Sequence, residues 1–126
     1  MTQPRMRLSA TVLGAPDARA LAAFYEQLLG WTRVVDEPGW VMLRPPSGGT
    51  GLSFQSEPDF VPPVWPSMPG AQQMMTHLDI AVEDLEAGVA WARETGARLA
   101  DFQPQKHVRV LLDPVGHPFC LFPGPV

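Results

Sequence analysis

Few side chains in this sequence can do chemistry. There is a single cysteine, Cys120, and three histidines, His77, His107 and His117. Asp79 follows His77 by two residues, so on an extended strand the two share a face. A carboxylate beside an imidazole can orient a ligand, an arginine or a water, and either group can act as a general base when a substrate proton lies within about 3 Å. Asp79 also reads as a solvated carboxylate at the open end of its strand. His77 reads either as a polar contact to a ligand or metal, or as a core histidine bonded to a neighbour such as Gln55. His107 and His117 read as surface or turn histidines, and no spacing rule joins them to His77 as a metal site. Cys120 would need an activating base and exposure to be a nucleophile, and reads as a small buried residue. Gly48, Gly49 and Gly51 make no phosphate loop, because no helix with a Lys-Ser/Thr pair follows them.

The elements that must position these groups follow from periodicity and turn chemistry. Residues 7–13 read as a strand. Asp17 caps a helix with Leu21, Phe24, Tyr25 and Leu28 at helical spacing, and Gly30 ends it. Residues 31–35, 40–43 and 52–55 read as strands. Residues 56–70 contain Pro58, Pro62, Pro63, Pro66 and Pro69, which exclude a helix or central strand. The pattern then repeats: a strand over 76–82, a helix from Asp84 to Gly96, and strands over 98–102, 107–112 and 118–122. Trp65, in the proline-rich connector, reads as a stacking surface at a cavity mouth or as an anchor for its loop. Met42, Met74 and Met75 suit an adaptable apolar lining, while Trp40 and Phe54 read first as core.

The two halves superimpose by number. Asp17 and Asp84 are 67 apart, as are Ala10 and His77, and Phe24 and Trp91. Gly30 and Gly96 are 66 apart, and Gly51 and Gly116, like Gln55 and Cys120, 65 apart. Cap, aromatic, terminal glycine and final turn recur in one order, which marks an internal repeat. The expectation is α+β: a single domain over 1–126 of two βαβββ repeats forming a concave mixed sheet around a cavity. Repeat one covers about 7–55, the connector about 56–73 and repeat two about 74–123.

Composition excludes several classes. With 45% hydrophobic and 17% charged residues the chain is globular rather than disordered. A net charge of −4 and no basic stripe argue against nucleic acid as a partner. No apolar run approaches the roughly 20 residues of a membrane span. One cysteine precludes an intrachain disulfide, and no signal-peptide core is visible, so a cytoplasmic location is expected.

The run Ala15-Pro16-Asp17, then Leu21 to Trp31 with Phe24-Tyr25 and Leu29-Gly30, resembles the opening of a glyoxalase/bleomycin resistance/dioxygenase (vicinal oxygen chelate) domain. His77 to Leu85 resembles the opening of that family's second half, and Asp113-Pro114-Val115-Gly116 its closing hairpin. The resemblance spans nearly the whole chain and is nearest to small glyoxalase-like domain proteins. It implies metal-ligand positions at Ala10, Gln55, His77 and Cys120. Ala10 has no donor, Gln55 offers a weak oxygen, and one His, one Gln and one Cys are not a familiar catalytic set.

The expected function is therefore small-molecule binding, with an aromatic or drug-like ligand sequestered by His77, Gln55, Asp79, Trp65, Phe54, Met75 and Cys120. No metal or other cofactor is expected, and the resemblance and small size imply a homodimer. The alternative is a lyase, isomerase or dioxygenase with a divalent metal on His77 and Gln55. A third reading is a metal-free enzyme with His77 or Asp79 as base.

Overall fold

Asp17 and Gly30 bracket the first helix as their chemistry dictates. The structure, a computed structural model, describes residues 2–126. It divides into two compact units, the first ending at Pro58 and the second starting at Asp59.

The first unit runs β1 (Ala10–Ala15), α1 (Ala18–Leu29), β2 (Thr32–Glu37), β3 (Trp40–Arg44) and β4 (Gly51–Ser56). Asp17 accepts from the backbone N–H groups of Arg19 and Ala20, two of the donors that a helix start leaves unpaired. Gly30 closes α1 at φ 69°, a left-handed conformation that glycine adopts without strain, and its N–H reaches the Glu26 carbonyl. The sheet order is β1-β4-β3-β2, with β1 parallel to β4 and the other pairs antiparallel. Leu21, Phe24 and Tyr25 bury the inner face of α1, and the Tyr25 ring stacks on Phe54 with centroids 5.6 Å apart. A side chain at Gly51 would strike the Leu43 carbonyl, so glycine lets β4 lie against β3 there.

The second unit repeats the order: β5 (Leu78–Val82), α2 (Leu85–Thr95), β6 (Arg98–Leu99), β7 (Arg109–Leu112) and β8 (Pro118–Pro123). Its sheet order is β5-β8-β7-β6, with β5 parallel to β8. Asp84 caps α2 through the Ala87 N–H at 3.0 Å. Phe119 and Leu121 are buried with Leu111. The proline-rich connector from Asp59 onward belongs to this unit. Trp65 donates its indole N–H to the Phe102 carbonyl at 3.1 Å, and the Val64 N–H reaches the Gln72 carbonyl. Both units are α+β, each a four-stranded mixed sheet with one helix, as the repeat implies.

Most strands depart from their expected spans by a residue or two, and three departures bear on the site or the sheet. β1 starts at Ala10, not residue 7, and β5 at Leu78, so His77 stands just before its strand. The expected strand over 98–102 keeps only two residues. The Gln103 side chain replaces the rest of the ladder: its amide donates to the Ala100 and Val110 carbonyls and its oxygen accepts from the Val110 N–H, each at 2.8 Å. No helix among the described residues is long and apolar enough to cross a membrane.

Candidate functional site: a polar corner in the second unit

The parallel β5–β8 ladder sets Asp79 opposite Cys120. Because Phe119 and Leu121 are buried in the core, Cys120 between them points to the other face of the sheet. Asp79 shares that face. His77, two residues earlier, places Nε2 3.0 Å from Asp79 Oδ1. Nitrogen, carboxylate oxygen and sulfur of the three residues all lie within 4.8 Å of one another. Burial pushes the Cys120 thiol up from its ordinary pKa, and the charge and hydrogen bond of Asp79 push it the same way. Both effects favour the neutral thiol, which opposes a nucleophilic role.

His77 and Cys120 also line a pocket of about 130 Å³ whose apolar wall is Trp65, Met74, Val110 and Pro118. The ladder explains Val110, which pairs with Cys120 from the other side. Larger hollows, of about 420 and 380 Å³, lie beside the β7–β8 turn and along α2. Neither touches the cluster of His77, Asp79 and Cys120.

Four of the residues expected at a site, His77, Asp79, Cys120 and Trp65, therefore gather in the second unit. Met75 does not line the pocket: it is 81% exposed, and its neighbour Met74 takes the wall position. Phe54 is fully buried against Tyr25 and serves the core of the first unit, with no surface for a ligand. Gln55 lies on β4 of that unit, exposed, with its amide bonded to Glu57. His117 is committed to its turn, with Nδ1 2.7 Å from Asp113 Oδ2, and His107 is exposed. Met74, one of the three methionines that the sequence offers as an apolar lining, does line the pocket, whereas sequence reasoning missed Val110. Alternation along β7 and β8 would have found Val110.

The ladders also revise the register of the repeat. Val12 pairs with Ser53 and Asp79 with Cys120, and both members of the second pair stand 67 residues on. The offset of the opening strands thus persists to the last strand, and the structural counterpart of Cys120 is Ser53 rather than Gln55.

The donor set decides which metal would suit this corner. Hard ions such as magnesium seek several oxygens in a near-octahedral shell, and this cluster supplies one carboxylate. One imidazole, one carboxylate and one thiol instead suit a borderline ion with a tetrahedral preference, and Ala10, which the resemblance implied as a ligand, has no donor atom.

Two βαβββ units, each a mixed sheet with the first and last strands parallel, define a glyoxalase-type α+β protein. A sequence model of the Glyoxalase-like domain family matches residues 10–122, and the chain belongs to that family. No curated protein sequence matches it significantly. Among solved structures it is similar to a glyoxalase/bleomycin resistance protein/dioxygenase family enzyme from Burkholderia phytofirmans PsJN, at 21% identity and TM-score 0.69, covering 92% of this chain and 97% of that one. It is similar to the bleomycin resistance determinant encoded on transposon Tn5, at 20% identity and TM-score 0.62, covering 96% and 100%. It is also similar to an antibiotic-binding protein from Streptomyces sp. CB03234, at 18% identity and TM-score 0.65, covering 98% and 100%. These likenesses establish the shared fold.

Proposed function

We propose that this protein binds a small organic molecule without transforming it, and that the second unit's pocket receives one flat ring or short apolar group of that ligand. One observation carries the reading: an apolar wall of Trp65, Met74 and Val110 meets a polar corner at His77 and Cys120. Concave apolar sites with a few placed polar groups are the usual form of ligand sites. The volume sets the scale. About 130 Å³ is well below the roughly 300 Å³ at which pockets begin to enclose a drug-sized ligand, so it anchors part of a molecule. Two structures that share the fold are described as a bleomycin resistance determinant and an antibiotic-binding protein, which supports a binding role.

A cytoplasmic homodimer completes the reading, and light scattering tests the dimer. The metalloenzyme alternative with His77 and Gln55 as ligands has less support, because one imidazole and one neutral amide oxygen are too few donors to hold a divalent ion. The test of binding is tryptophan fluorescence of chelator-treated protein against a panel of flat aromatic compounds. Saturable quenching, weakened in Trp65→Phe and in His77→Ala, is expected. Quenching by no member of a broad panel, or quenching unchanged in both variants, would sink the reading.

A further inference from the structure

We propose that His77, Asp79 and Cys120 together hold one thiophilic divalent ion, with zinc as the test case, entirely within the second unit. The proposal goes beyond ligand binding, which needs no metal, although both use the same polar corner. It also differs from the ligand set that the resemblance implied. Two of those four positions lie in the first repeat, whereas here the third donor comes from Asp79, one strand position beyond Leu78 on the strand that His77 precedes.

The geometry comes close to a coordination shell. Donors bound to zinc at about 2.0–2.3 Å in a tetrahedron stand roughly 3.3–3.8 Å apart. The three donor atoms here already lie within 4.8 Å of one another, and His77 Nε2 and Asp79 Oδ1 within 3.0 Å. Side-chain rotation closes the difference without moving β5 or β8, whose pairing fixes Asp79 against Cys120. Asp79 and His77 are exposed and Cys120 half-buried, so an ion has an entry path. Two anionic donors, carboxylate and thiolate, would balance the charge of a divalent ion. Three protein donors leave one coordination position for water or a ligand heteroatom.

The experiment is a titration of chelator-treated full chain with cobalt(II), as a spectroscopic stand-in, and with zinc in competition with a chromophoric chelator. One equivalent of cobalt should produce a thiolate-to-cobalt charge-transfer band in the near ultraviolet and the intense visible bands of a four-coordinate centre. Cys120→Ser should abolish the charge-transfer band. Cys120→Ser and Asp79→Asn should each weaken zinc binding by about tenfold or more, while His107→Ala changes nothing. Cobalt binding without a thiolate band, or zinc affinity equal in parent and Cys120→Ser, overturns the proposal. Should Asp79→Asn fail to fold by circular dichroism, the band and the near-isosteric Cys120→Ser decide. Aromatic quenching in the presence of chelator is read separately. Quenching without a cobalt band removes the metal site and leaves ligand binding, and the converse result does the reverse.

Discussion

Asp79 and Cys120 are direct partners across the parallel β5–β8 ladder, and Val12 and Ser53 hold the matching places in the first unit. One repeat thus carries a carboxylate–thiol pair where the other carries an apolar residue and a hydroxyl. In metal-free protein burial raises the thiol pKa, and the Asp79 carboxylate raises it further. Alkylation of Cys120 by iodoacetamide near pH 8 should therefore be slower than that of a free thiol. Asp79→Asn removes the negative charge and should accelerate it several-fold, since a lower thiol pKa means more thiolate at a given pH. Equal rates in parent and variant would show that Asp79 does not control the thiol.

Ser53 supplies a stability test. Its side chain is fully buried and its hydroxyl has no hydrogen-bond partner. An orphaned buried polar group costs about 1–3 kcal/mol. Ser53→Ala removes the hydroxyl with little change in volume, so a gain of about 1 kcal/mol is expected. For a domain of this size that is a rise in melting temperature of about 4 °C. A lower melting temperature would mean that the hydroxyl is satisfied in solution.

How much of this was readable in the sequence differs from residue to residue. Asp17, Asp84, Gly30 and Gly96 announced both helices, because caps act locally and need no tertiary knowledge. The βαβββ order and the repeat followed. The length of β6 did not, because the Gln103 side chain that takes over its hydrogen bonds belongs to no propensity scale. At the site, His77 and Asp79 were legible as a same-face pair two residues apart. The resemblance already grouped Cys120 with His77, but its place directly opposite Asp79 comes from the register of a parallel ladder, which pairs strands about 40 residues apart in sequence. A slip in assigning the repeat offset moved the counterpart of Cys120 from Ser53 to Gln55. Phe54 and Met75 were misplaced for the usual reason that aromatic and thioether side chains fill cores and surfaces alike, and only burial separates the uses.

The Asp113 turn should be a point of weakness. Its Oδ1 accepts from the backbone N–H groups of Val115, Gly116 and His117, and its Oδ2 pairs with His117 Nδ1. The residue is buried, so loss of the carboxylate leaves several donors unpaired. Asp113→Ala should cost about 2–4 kcal/mol, and Asp113→Asn less, because it keeps one acceptor oxygen in place. Urea denaturation gives both values. A cost below about 0.5 kcal/mol for Asp113→Ala would show that the β7–β8 turn does not depend on this residue.

Asp36 gives a pH dependence with a defined sign. The Arg19 hydrogen bond holds its carboxyl below the ordinary range against an opposing loss of hydration, and the Arg33 hydrogen bond and the charges of both arginines add to the lowering. Arg19 Nε and Arg33 Nη1 stand 2.9 and 3.2 Å from the same Oδ1, and Arg33 also reaches Glu26. A carboxyl whose folded pKa is depressed stabilises the fold above its unfolded pKa, and that contribution is lost as pH falls through the folded value. Asp36→Asn should therefore be less stable than the parent at pH 7, and the gap should close as the pH is lowered below the carboxylate range. The network lies at the surface, so the gap at pH 7 should be small and should shrink in high salt. Urea midpoints for parent and variant at both pH values, with and without salt, measure all three effects. A gap that stays constant down to the lowest pH would show that the Asp36 charge contributes nothing and that only the shape of the side chain matters there.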